Sequence, residues 1–131
     1  MADKDFSVPT LSSPEITRLR LAYMAVAMRD PNLVHMEDEY AKKSGLPQVI
    51  AHGTFAVAYV GFALSQAVGI DRVRRVKVEL TAPVFPQDII SVDYTDLQIN
   101  GDLTTARISA KNQSGVLVAR GESTWVTNPS H

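Results

Sequence analysis

The run from Gly53 to Val68 constrains the fold of this chain more than any other segment. Ala56, Ala58, Gly61, Ala63 and Ala67 alternate there with Phe55, Val57, Tyr59, Val60, Phe62 and Leu64, and almost no polar face is left. A helix that is apolar all round is a buried helix. It is too short to span a bilayer and is interrupted by Gly61, Ser65 and Gln66, so it predicts the centre of a packed domain rather than a membrane segment. Gly69 ends it.

Beyond Gly69 the hydrophobic period changes from that of a helix to that of a strand. Val76, Val78 and Leu80 alternate with Lys77, Glu79 and Thr81, and Ile90, Val92 and Tyr94 alternate with Ser91, Asp93 and Thr95. Such two-residue periodicity predicts strands with one buried face. The parity slips before Leu97 and Ile99, as a β-bulge requires. Asn100-Gly101 is a hairpin signal, and Gln113-Ser114-Gly115 predicts the turn into a last strand over 116–126. On that strand Ala119, Gly121 and Ser123 share a face with Leu117 and Trp125. Small residues there let something bulky approach, and the candidate is the long helix.

Two helices are predicted before the apolar run. The first covers about 14 to 29, with Ser13 as N-cap, Pro14 at the first helical position, and Ile16, Leu19, Tyr23, Val26 and Ala27 at helical spacing. Pro31 stops it. The second covers Glu37 to Ser44, with acids at its start, Lys42 and Lys43 at its end, and Gly45 beyond. The expected class is α+β: helices first, then an antiparallel sheet wrapped around one central helix. The edge and open face of such a sheet predict a symmetric dimer.

Composition narrows the function classes. The chain has 131 residues, suited to a single domain over 1–131. Its net charge of −1 gives no global attraction to nucleic acid or an anionic membrane. The absence of cysteine removes disulfide and thiolate chemistry. No signal-peptide pattern opens the chain, and a cytoplasmic protein is the expectation. No phosphate-cradling glycine loop, metal-spaced ligand set or nucleophile elbow is found in the sequence, so neither a cofactor nor a metal is expected.

The residues that can carry chemistry precede the long helix. Asp30 and His35 lie five apart in one turn, Asp30-Pro-Asn-Leu-Val-His35. Taken singly, Asp30 reads as a turn-starting carboxylate and His35 as a surface imidazole. Together a turn can hold both at one point in a cleft, and histidine suits proton transfer near neutral pH. Gly53 opens the helix, and free N–H groups at a helix N-terminus can receive a developing oxyanion. Asn32 can orient a side chain or a water, or simply cap a turn. His52 can tie the loop down. Arg72, Arg74, Arg75 and Lys77 form the one basic cluster, either a solvated strand face or an anchor for phosphates.

The pattern Asp30-x-Asn32-x-x-His35, then Ala41, then Ile50-Ala-His-Gly53, resembles the MaoC-like dehydratase group, which includes the (R)-specific enoyl-CoA hydratases. Ala82-Pro-Val-Phe-Pro-Gln-Asp88 is similar to that family's P-V-x-x-G-D segment. The resemblance implies a hot dog fold, and a dimer or higher assembly that can include a second kind of subunit. It implies that Asp30 and His35 activate a water for attack at C3 of a trans-2-enoyl thioester, and that the Gly53 amide holds the enolate oxygen. The substrate would be a thioester of coenzyme A or of acyl carrier protein. Asn32, His52, Gly61, Arg74 and Arg75 are the candidate substrate-contacting residues. Three positions differ from the family pattern: Leu33 replaces a proline (Pro31 carries one instead), Gly61 a serine of the central helix, and Gln87 a glycine. Two alternatives are kept beside the hydratase reading: a non-catalytic acyl-binding or structural subunit of a heteromeric hydratase, and a hot dog acyl-CoA thioesterase.

Overall fold

The computed structural model describes residues 10–127. Its elements run β1 (Leu11–Ser12), α1 (Arg18–Ala27), a 3-10 turn (Leu33–His35), α2 (Asp38–Lys43), α3 (Gly53–Val68), a second 3-10 turn (Ile70–Arg72), β2 (Val73–Leu80), β3 (Ser91–Asn100), β4 (Leu103–Lys111) and β5 (Leu117–Val126). The strands form one antiparallel sheet in the order β1-β3-β4-β5-β2. α3 lies against it through Ala56, Val60, Ala63, Leu64 and Val68, all buried. Val92, Ile108, Val118 and Trp125 face it from the sheet side of the same core. Truncating a fully buried side chain such as Leu64 to alanine would cost about 2–5 kcal/mol.

The bulge falls where the parity slips: the β3–β4 register shifts between Thr95 and Gln98, and Asp96 takes a φ of 53°. The hairpin is displaced by one residue from the sequence signal. Asn100 pairs with Leu103, so Gly101 and Asp102 make the loop, and Gly101 supplies the positive φ of 62°.

Four expectations are corrected. Ser13 does not cap α1. Its N–H donates to Ile90 O (2.7 Å) and its hydroxyl accepts from Ile90 N–H (2.9 Å), so the segment extends the β1 pairing and Thr17 caps the helix instead. Tertiary pairing outcompetes the local capping signal there. α3 is not buried all round: Phe62 is 53% exposed and Val57 is also exposed, because one sheet covers only one side of a helix. Leu19, Tyr23 and Val26 of α1 also face outward, while Leu21 and Ala25 are buried. Finally, what approaches Gly121 is the neighbouring strand rather than the helix, since a Cβ there would meet Lys77 O at 1.8 Å.

Candidate active site

Asp30 is placed by the end of α1. The helix closes with Arg29 in a left-handed conformation (φ 52°), and the Asp30 N–H donates back to Ala25 O at 2.9 Å, a C-terminal capping pattern. The next residues curl into an Asx turn. Asn32 N–H reaches Asp30 Oδ1 at 3.4 Å, and Asn32 Oδ1 accepts from Val34 N–H at 3.0 Å, capping the 3-10 turn that carries His35. Pro31 precedes this turn and Leu33 begins it, so the proline's shift by two positions is accommodated without loss of the curl. Asn32 is thus spent on local backbone.

His35 and His52 come together from opposite sides. His35 Nδ1 lies 2.7 Å from Ile50 O, which makes that nitrogen the N–H donor and leaves Nε2 with a free lone pair. His35 Nε2 is 3.8 Å from Asp30 Oδ2. His52 Nε2 lies 3.0 Å from the Asp30 backbone carbonyl, to which it donates. The two imidazoles are stacked, with centroids 3.7 Å apart at 24°. Exposure grades across the site: the Asp30 side chain is 50% accessible, that of His35 9%, and that of His52 3%. Among the described residues, buried His52 Nδ1 has no hydrogen-bond partner, an omission that ordinarily costs about 1–3 kcal/mol.

The segment leading into α3 holds the centre together. Ile50 N–H donates to Val34 O (3.1 Å) while its carbonyl holds His35, and Ala51 N–H donates to Val84 O (2.7 Å). Gly53 then begins α3 with no side-chain cap. The first-turn amides of a helix have no intrahelical acceptor, and those of Gly53 and Thr54 find none among the described residues. Gly53 lies against the end of β2, where an added Cβ would come within 2.5 Å of Leu80 Cδ1. A cleft of about 320 Å³ opens here, lined by His52, Gly53, Ala56, Leu80, Thr81 and Pro83 among others.

The structure brings Asp30, Asn32, His35, His52 and Gly53 to one place. It does not bring Arg74 and Arg75 there within one protomer. They lie near the start of β2, five and six residues before Leu80, which is roughly 17–20 Å of extended strand. Arg74 Nη1 donates to Asp71 O (2.6 Å), and neighbouring Arg72 ties Val68 O and Val126 O together. Gly61 is two turns along α3, roughly 12 Å from Gly53, and the space where its side chain would be is open. Asp88, the acid of the P-V-x-x-G-D-like segment, is buried and structural, accepting from Phe85 N–H (2.9 Å) and Gln113 Nε2–H (3.0 Å). Asp30, His35 and His52 can place ligand atoms within 4.8 Å of one another. However, the Nε2–H of His52 is already committed to the Asp30 carbonyl. This set suits proton transfer better than cation binding. Sequence reasoning missed Ile50 and Leu80: the first acts through its main chain, and the second is an ordinary member of an alternating strand.

A five-stranded antiparallel sheet curled around a central helix, with Asp30, His35 and His52 gathered near the helix start, defines a hot dog domain of the α+β class. A family model described as "MaoC like domain" matches residues 9–114, and the chain belongs to that family. No curated protein matches it significantly by sequence. Among solved structures it is similar to the (R)-hydratase from A. caviae involved in PHA biosynthesis, at 18% identity and a TM-score of 0.80 over 97% of this chain and 100% of the other. It is similar to the R-hydratase PhaJ1 of Pseudomonas aeruginosa, at 19% identity and a TM-score of 0.77 over 95% and 83% of the two chains. It is also similar to a structure of the ChsH1-ChsH2 complex of Mycobacterium tuberculosis, at 17% identity and a TM-score of 0.78 over 94% and 96%. At these identities the likeness establishes the fold. No helix among the described residues is long and apolar enough to cross a membrane.

Proposed function

We propose that this protein is a hydro-lyase that adds water to trans-2-enoyl thioesters of coenzyme A or acyl carrier protein, giving (3R)-hydroxyacyl thioesters, or runs the reverse dehydration. The observation that carries this is the pairing of His35 Nε2 with Asp30 Oδ2 at 3.8 Å, with the other His35 nitrogen pinned to Ile50 O. That separation is too long for a direct hydrogen bond, yet a water about 2.8 Å from each atom would bridge them. The fixed tautomer leaves Nε2 as a base. It accepts one water proton while Asp30 Oδ2 accepts a hydrogen bond from the other hydrogen. The water oxygen bonds to C3, and the C2–C3 π pair shifts toward the carbonyl to form an enolate. The Gly53 N–H then faces the oxygen on which charge develops. The imidazolium returns its proton to C2, so one water is consumed and both side chains are regenerated.

Family membership and the hydratases among its structural neighbours support this reading. The uncovered apolar side of α3, with Val57 and Phe62 exposed, supports a paired assembly. A homodimer is the simplest form, and the ChsH1-ChsH2 neighbour makes a two-chain assembly the alternative. The test is loss of enoyl absorbance with crotonyl-CoA and longer enoyl-CoA substrates. Asp30→Asn and His35→Ala should each lower turnover by about 10²–10⁴-fold with the fold intact, as expected for removal of a general acid or base. Near-normal rates in both variants would sink the mechanism, and release of free thiol without hydration would indicate a thioesterase.

A further inference from the structure

We propose that His52 is a positioning residue that fixes Asp30 and His35 relative to each other, a role that rests on the hydro-lyase reading. Within the described residues, Asp30 has two strong anchors, and both act on its backbone. Its N–H is held by Ala25 O at 2.9 Å and its carbonyl by His52 Nε2–H at 3.0 Å. Among the described residues its exposed carboxylate has only one hydrogen bond, the long 3.4 Å one from Asn32 N–H to Oδ1, while Oδ2 lies 3.8 Å from His35 Nε2 and 3.9 Å from His52 Nε2. The orientation of Oδ2 is therefore set by how firmly the Asp30 peptide is held, and His52 supplies the tertiary half of that hold. His35 depends on the same residue. Its edge is bonded to Ile50 O, and its face lies on the His52 ring. His52 is also bonded covalently to Gly53, so one buried side chain links the acid/base pair to the proposed oxyanion donor.

The unpartnered Nδ1 of His52 favours a positioning role over a purely structural one. A residue present only for stability would gain from being apolar at this buried position. An imidazole makes sense where one ring must offer both a flat face and an Nε2–H at its tip. Substrate contact is a weaker account, since His52 is 3% exposed and its one N–H is already donated.

Two variants separate the contributions. His52→Phe keeps a ring face for His35 and removes the donor. His52→Gln places an amide N–H near the Nε2 position and removes the face. If the carbonyl bond orients Asp30, His52→Phe should lower kcat by about 10²-fold with KM within about threefold, the scale expected for a small misplacement of a catalytic group. His52→Gln should then recover about tenfold or more of that loss. A His52→Phe variant that keeps kcat within about threefold, or a His52→Gln variant no better than His52→Phe, would overturn the proposal. Nitrogen-15 spectra of the imidazoles in the wild-type protein supply a readout that does not depend on turnover. His52 should appear as the Nε2–H tautomer and His35 as Nδ1–H, with exchange of the His35 Nδ1–H accelerated in His52→Gln. Finding His52 as Nδ1–H would overturn the proposal even if the enzyme is active. Finding the expected tautomers in a protein without hydratase activity would retain the geometry and refute the function.

Discussion

Replacing Gln87 by glycine is the substitution whose effect the backbone fixes most directly, because Gln87 occupies a left-handed conformation with φ at 77°. It is exposed, and its N–H is committed to Ile16 O at 2.6 Å, so the turn cannot relax without breaking the tie between the loop and the entry to α1. A non-glycine residue in this region costs about 1–2 kcal/mol through the clash of Cβ with the backbone. Glycine removes that clash and gives back about 0.4–1 kcal/mol through its more flexible unfolded chain. The net expectation for Gln87→Gly is a gain of about 0.5–1 kcal/mol, which for a chain of this length is a rise in Tm of about 2–4 °C. Thermal denaturation followed by circular dichroism or calorimetry measures it. Gln87→Ala, which keeps the Cβ, should move Tm by less than about 1 °C. An unchanged or lowered Tm in Gln87→Gly would refute the reasoning, and would mean that the glutamine side chain makes compensating contacts. The family pattern places a glycine here, and the φ angle supplies the physical reason.

The remaining predictions concern the sheet, the helix start and the response to acid. Gly121→Ala should destabilise the fold by about 3 kcal/mol or more, because its Cβ would collide with Lys77 O of the paired strand rather than with a side chain that can rotate; a denaturant midpoint equal to that of the wild type would count against so close an approach of the two strands. Gly53→Ala meets only the tip of the half-exposed Leu80, so the protein should still fold. Hydratase turnover should nonetheless fall by about tenfold or more as the oxyanion position is crowded, whereas full activity would remove Gly53 from the mechanism. Asp38 is held below the usual carboxylate range, first by the Val49 N–H that donates to it and then by Arg18. Its contribution is therefore present above the ordinary aspartate value and lost as pH falls through its lower folded value. Asp38→Asn should lower Tm at neutral pH, and the gap from wild type should close on acidification. A gap that does not change with pH would contradict this.

Much of the architecture was legible because it depends on short-range rules. The alternation in 76–80 and 90–95 determined strands, the slip before Leu97 marked the bulge, and Glu37 to Ser44 bracketed α2 to within one residue at each end. The apolar run determined a long helix from Gly53 to Val68 with no shift in its bounds. The spacing of Asp30, His35 and Gly53 determined that an acid, an imidazole and a helix start fall close together along the chain. Other features were invisible because their causes lie far away in sequence. Ser13 reads locally as a helix cap, and only its partner Ile90, 77 residues on, turns it into part of a sheet edge. The exposed side of α3 reads as core because an apolar run does not record which side of the helix the sheet covers. Arg74 and Arg75 read as possible anchors for the same substrate, and the direction of β2 carries them away from the cleft.

At the site itself, sequence determined which groups are present and tertiary structure decided what each one can do. His35 and His52 are both plain imidazoles in the sequence. Ile50 O leaves His35 with a free Nε2, and the Asp30 carbonyl takes up the Nε2–H of His52. A histidine's chemistry depends on which nitrogen holds the proton. That is set by main-chain acceptors whose positions exist only after the chain has folded.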